Sequence, residues 1–297
     1  MSVRNIDLKT SNGVCSIKES EVNVFIPGLR REYTFVQISD LHIAISDNND
    51  SPSLKERAEN SEKFWRSQGC IVCNKGLPGE NIMTPLESNN AVAQRIRQIS
   101  PDMVFLTGDI VDYPSASNLI YAEQYIKSLN CKYIFVPGNH DAINNKPCDK
   151  AGELLSELVD FSPEFRVYSL NEFDIIAIDD SSIKISDEQL LKMYECIKLN
   201  RPIILLLHVP LLAPAARVPI FSKWGYNWMV GEDQQCKNNK DFLSIIESNK
   251  DIVRAVFAGH VHIATGDDEN HAGGIVQYTA APCFTGFLRV IRVNSKK

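Results

Sequence analysis

The chain has 297 residues, 44% of them apolar and 23% charged, with 31 basic against 37 acidic side chains and a net charge of −6. Such a composition suits a globular chain that buries a sizeable core, and it excludes collagen-like, coiled-coil and disordered polymers. The acidic balance disfavours nucleic acid as the main partner, because a fold that grips phosphates usually carries a basic surplus.

Extended, β-rich segments open the chain at 21–26 and 33–39, with a Pro27-Gly28 turn between them. Thr84-Pro85-Leu86-Glu87 predicts a helix start, with Thr at the N-cap, Pro at the first helical position and Glu closing a capping box. Pro101 stops that helix after about Ile99. A strand over 103–107, a helix over 118–129 and strands over 132–136 and 174–178 follow. Ser186-Asp187-Glu188-Gln189 is a second capping box, opening a helix to about Leu199. The chain closes with a strand over 202–207, a helix over 240–248 and strands over 254–258, 275–279 and 287–293.

Strands alternating with helices predict an α/β layered fold. Residues 45–83 and 210–240 fit neither element; the first stretch holds Cys70 and Cys73, the second Trp224, Tyr226 and Trp228. Loops this long are commonly functional or mobile. No linker divides the chain, so it reads as one domain, 1–297, with two insertions. The N-terminus has no apolar h-region, and the longest apolar run, 203–207, is far below the roughly 20 residues of a membrane span. These features predict a cytoplasmic chain without a membrane span, whose eight cysteines stay reduced.

Five strand ends run into metal-type ligands. The strand over 33–39 leads into Asp40-Leu41-His42, 103–107 into Gly108-Asp109, and 132–136 into Gly138-Asn139-His140-Asp141. The strand over 202–207 leads into His208, and 254–258 into Gly259-His260-Val261-His262. In α/β sheets ligands bind just past the carboxyl ends of strands, so five such ends are expected to converge on one site. Ligands at i and i+2 would share one side of an extended backbone. Gly108, Gly138 and Gly259 would permit tight turns and close backbone approach. Carboxylate, amide oxygen and imidazole together suit Mn, Fe or Zn ions.

The order D-x-H, G-D, G-N-H-D, H, G-H-x-H resembles the calcineurin-like metallophosphoesterases, over about residues 33–293. Nearest in motif are bacterial cyclic-nucleotide phosphodiesterases of that superfamily. The resemblance implies a two-layer β-sandwich of mixed sheets flanked by helices, with two metal ions at one end. Asp40, His42, Asp109 and His262 would hold the first ion. Asp109, as the bridge, would hold the second with Asn139, His208 and His260. His140 would be the catalytic histidine at the leaving-group oxygen, oriented by Asp141. A hydroxide shared by the two ions would attack a small phosphoester.

Two classes stay open: a phosphoesterase, and a non-catalytic interaction module on the same fold. No ligand is missing, which favours the enzyme. Within it, diester and monoester hydrolysis compete. Serine/threonine phosphatases of this superfamily resemble G-D-x-V-D-R-G at the second motif, and their arginine clamps the phosphate. Here Tyr113 stands at that position, which favours a phosphodiester, although Arg217 or Lys223 could supply a cation. Cys70-Ile71-Val72-Cys73 is half a zinc site at best and reads as reduced thiols. His271 reads as solvated and Asp179 with Asp180 as a turn cap. Trp224, Tyr226 and Trp228 either pack on the sandwich or line an entrance.

Overall fold

Of the five strands that carry the motifs, those over 103–106, 133–135 and 203–206 are uninterrupted apolar runs and those over 33–38 and 253–258 are mainly apolar, as expected of strands buried on both faces. In chain order the computed structural model shows β1 (Ser2–Thr10), β2 (Gly13–Phe25), β3 (Tyr33–Ile38), α1 (Pro52–Ser67), β4 (Val72–Cys73) and β5 (Asn81–Ile82). Then come α2 (Pro85–Ile99), β6 (Met103–Leu106), α3 (Ala116–Ser128), β7 (Tyr133–Phe135), β8 (Phe165–Ser169), β9 (Asp174–Ile178) and α4 (Asp187–Lys198). The remaining elements are β10 (Ile203–Leu206), α5 (Pro214–Trp224), α6 (Lys237–Ser248), β11 (Val253–Ala258), β12 (His271–Ala272), β13 (Ile275–Thr279) and β14 (Phe287–Asn294). The structure describes residues 2–141, 164–226, 228–231, 236–265, 271–272 and 274–295. Most of the loop expected around His271, residues 266–270, lies outside these, and so does the side chain of His271.

Two mixed sheets form. The first runs β5-β4-β2-β14-β3-β6-β7, with β1 also paired to β2; the second runs β12-β13-β11-β10-β9-β8. β3, β6 and β7 are mutually parallel, as are β9, β10 and β11, so their carboxyl ends collect on one side of each sheet. Between the sheets, Phe35, Phe105 and Ile134 pack with Ile175, Ile204 and Phe257. The alternate residues face outward. Val36, Val104 and Leu106 meet Val92 and Ile96 of α2 and Leu119 of α3. Ile176, Leu205 and Val256 meet Met193 of α4 and Phe242 of α6. The result is the expected helix–sheet–sheet–helix stack.

Both capping boxes form. Glu87 N–H donates to Thr84 Oγ1 at 3.2 Å while Thr84 N–H donates to Glu87 Oε2 at 2.7 Å. Ser186 and Gln189 repeat the pattern at 3.1 and 2.8 Å.

The stretches 45–83 and 210–240 are not bare loops: each contains a helix, α1 and α5. α1 starts at Ser51, whose hydroxyl caps Leu54 N–H, but it buries only Ala58 and Trp65, so the apolar stripe it carries is narrow. α5 holds Pro219 in its interior, which locally argues against a helix. β1 and β8 also lie outside the expected strands. The described cysteines, Cys70 and Cys73 among them, are free. No helix of the described residues is long and apolar enough to cross a membrane.

Candidate active site

The five strand ends do converge, three from the first sheet and two from the second. Backbone pairing continues past the strands and fixes the turns: Asp40 N–H donates to the Gly108 carbonyl at 2.9 Å, His42 N–H to that of Asp109 at 3.0 Å, and Gly259 N–H to that of His208 at 2.9 Å. The expected extended backbone at the i, i+2 ligands is corrected. Asp40, His42, Asp109, His260 and His262 all have left-handed φ, between 47° and 66°, and they make up half of the ten non-glycine residues that do among the described residues. Strained backbone therefore concentrates where the ligands turn inward. Two glycines make room for this. At Gly108, with φ +91°, a Cβ would lie 2.1 Å from His208 Nδ1; at Gly259 it would lie 1.9 Å from Ser39 Oγ.

Asp40, His42, Asp109, His208, His260 and His262 are all buried, while Asn139 and His140 are partly exposed. His262 Nε2 lies 3.1 Å from Asp40 Oδ1 and 3.1 Å from His42 Nε2. His42 Nε2 is 3.9 Å and His208 Nε2 3.4 Å from Asp109 Oδ2. His208 Nε2 is also 3.1 Å from Asn139 Oδ1. Two candidate groups result, Asp40–His42–His262 and Asp109–His208–His260, with Asp109 between them.

These residues fit metal ions. His260 Nε2 is buried with no hydrogen-bond partner, an arrangement that is costly unless something else binds the atom. His208 donates Nδ1–H to the Thr107 carbonyl at 2.8 Å, which reserves Nε2 as a ligand. His42 Nδ1 lies 3.3 Å from Asp112 Oδ1, to the same effect. Burial pushes the Asp109 carboxyl up, but His208 and the neighbouring histidines overcome this and hold it well below the usual carboxylate range. It is therefore an anion ready to bind cations.

The Asp141 carboxylate is engaged with the backbone. Its two carboxylate oxygens accept Val111 N–H at 3.0 Å and Gly138 N–H at 2.8 Å, so it ties the 138–141 turn to the 109–111 turn. The residue beside the His140 ring is Asp112, whose carbonyl lies 2.9 Å and whose Oδ1 lies 3.3 Å from Nδ1. His140 N–H in turn donates to Asp109 Oδ1 at 2.8 Å. Asp180 caps a turn, as expected: it accepts His208 N–H at 2.8 Å and Val209 N–H at 3.1 Å. His140 comes close enough to His42 and Asp109 to complete a third three-residue group.

Both insertions reach the site. Trp224 lies 5.3 Å from His262 and Trp228 lies 5.6 Å from His260, ring centre to ring centre. Trp65 of α1 stacks on His42. A cavity of about 710 Å³ opens elsewhere, at the amino end of β11 beside Asp251 and Arg254. It lies away from the five converging strand ends and holds none of the three candidate ligand groups.

The family model described as calcineurin-like phosphoesterase matches residues 33–264, and the chain belongs to that family. Among curated proteins it is similar to a probable cyclic nucleotide phosphodiesterase of Coxiella burnetii, 28% identical over 169 residues, which are 54% of this chain and 60% of that protein. It is likewise similar to one of Synechococcus sp., 29% identical over 182 residues, 59% of this chain and 63% of that protein. The chain thus spans about three fifths of the length of these relatives. Among solved structures, a dimetal phosphatase from Danio rerio covers 85% of this chain and 88% of its own, with a TM-score of 0.55 and 15% identity, a likeness of fold.

Proposed function

We propose that the chain hydrolyses a small phosphodiester at a binuclear metal centre. The observation that carries this is the placement of Asp109, which groups with His208 and His260 and whose Oδ2 also lies 3.9 Å from His42 Nε2 of the Asp40–His42–His262 group. Asp40, His42, Asp109 and His262 would hold one ion, and Asp109, Asn139, His208 and His260 the other. Bound there, Mn, Fe or Zn ions supply charge neutralisation for the phosphoryl group and a water of lowered pKa.

The chain's own residues supply the rest. His140 has its Nδ1 against Asp112, so proton transfer to the leaving-group oxygen falls to Nε2. In the chain without metal, burial disfavours the charged ring, but the Asp112 hydrogen bond and the Asp109 charge raise it to about 9. Asp141 holds the turn that carries His140, and the rings of Trp224 and Trp228 flank the histidines from the second insertion.

The diester reading rests on charge. Tyr113, in the position where related monoester phosphatases place an arginine, is buried under the Arg57 guanidinium, 3.9 Å above its ring. A diester's single negative charge needs no further clamp. Lys223 is the observation that favours the competing monoester reading, because its Nζ donates to the His262 carbonyl at 2.7 Å and brings a cation to the site's edge. The discriminating comparison is kcat/KM for bis-nitrophenyl phosphate against nitrophenyl phosphate at saturating Mn²⁺. The diester is expected to be preferred. A monoester preference of about tenfold, roughly 1.4 kcal/mol in the barrier, would overturn the diesterase reading.

A further inference from the structure

Helix α1 belongs to the first insertion, yet two of its side chains end inside the site. Ser61 Oγ donates to Asp112 Oδ2 at 2.6 Å, and Trp65 Nε1–H donates to Asp112 Oδ1 at 2.8 Å. The two residues are four apart, so they share one helix face. The Trp65 indole also stacks on the His42 ring, with centroids 3.8 Å apart and planes at 22°. Asp112 Oδ1 meets His42 Nδ1 and His140 Nδ1, each at 3.3 Å. One buried carboxylate thus joins a metal-ligand histidine, the candidate proton donor and the insertion helix.

An aspartate carboxyl turns easily about its last torsion, because that well is broad. Two donors placed at fixed points on a helix remove this freedom. The helix is itself held from outside: Tyr113 donates to the Leu54 carbonyl at 3.4 Å, and Arg57 lies on the Tyr113 ring. Trp65 is also packed against Cys70 and Phe284.

We propose that Ser61 and Trp65 are positioning residues: they lock the Asp112 carboxylate so that it aims His140, and the insertion helix thereby sets the geometry of the proton-donating side of the site. The proposal rests on the role given above to His140. It assigns α1 a part in the reaction step, beyond shaping an entrance.

The test uses the full chain loaded with Mn²⁺ and two variants, Trp65→Phe, which keeps an aromatic ring but removes the N–H, and Ser61→Ala. For a diester with an alkyl leaving group, Trp65→Phe is expected to lower kcat by about 10- to 100-fold, the usual cost of losing such an outer partner, with KM and metal content unchanged. For bis-nitrophenyl phosphate, whose leaving group needs little protonation, the loss is expected to be several-fold smaller. Ser61→Ala should shift the two substrates in the same unequal way. Added to Asp112→Asn, Trp65→Phe should cost nothing further, because both act through one contact. Without any turnover, the Trp65 indole N–H resonance should be protected from solvent exchange in the wild-type chain, even after chelation, and should lose that protection in Asp112→Ala. Wild-type rates on the alkyl diester in both variants would overturn the proposal. So would equal losses on both substrates with reduced metal content, since α1 would then merely support His42. A wild-type protein that hydrolyses neither ester, with its indole N–H still protected, would overturn the proposed function and this role with it.

Discussion

Replacing Asp109 by Asn is expected to strip the protein of metal and of nearly all hydrolysis. Asp109 belongs to the group with His208 and His260 and also approaches His42 of the other group, with Oδ2 3.4 Å from His208 Nε2 and 3.9 Å from His42 Nε2. Its Oδ1 accepts the His140 N–H at 2.8 Å. Asparagine keeps the shape but removes one negative charge and turns one oxygen into a donor, which points hydrogens at the place cations would occupy. The loss should therefore exceed the roughly 10- to 100-fold that removal of an outer partner costs. Metal per chain and hydrolysis of bis-nitrophenyl phosphate, measured on the same sample, check it. A variant that still binds two ions and turns over normally would remove Asp109 from the bridging position.

The second large effect is expected at His140. Its side chain is 33% exposed, whereas the imidazoles of His42, His208 and His262 are 5% or less, so it faces the open side of the site. His140→Ala should lower kcat by a factor of about 10²–10⁴ for a substrate with a poor leaving group, the range for a lost general acid. Metal content should stay near that of the wild-type protein, which distinguishes a proton donor from a third ligand beside His42 and Asp109. The loss should shrink for nitrophenyl esters, whose leaving group departs without a proton. Equal losses on nitrophenyl and alkyl esters would count against the acid role, and loss of metal would make His140 a ligand.

Much of this site was legible in the residues because each motif follows an apolar strand, and a strand end is a defined place in a layered sheet. The strand 174–178 and the two capping boxes were readable for the same reason: they depend on neighbours in sequence. What escaped depends on contacts between distant residues. Asp112 is three residues after Asp109, yet its partners Ser61 and Trp65 come from about 50 residues earlier, on a mostly polar helix with a narrow apolar face. Asp141, adjacent to His140 in sequence, is the local candidate for orienting it, and its carboxylate accepts two main-chain N–H groups of the turns around it. The left-handed turns at Asp40, His42, His260 and His262 carry no decisive signature beyond the neighbouring glycine at 259, because aspartate and histidine, though enriched at positive φ, adopt it in only a small minority of places.

The most direct measurement is to remove metal with a chelator, restore Mn²⁺ stepwise, and follow ions bound per chain together with hydrolysis of bis-nitrophenyl phosphate. A binuclear metallophosphoesterase should be inactive when stripped, bind two ions per chain, and recover its activity as the second is taken up. Hydrolysis that survives complete chelation, or a chain that takes up no ion at this cluster, would contradict it.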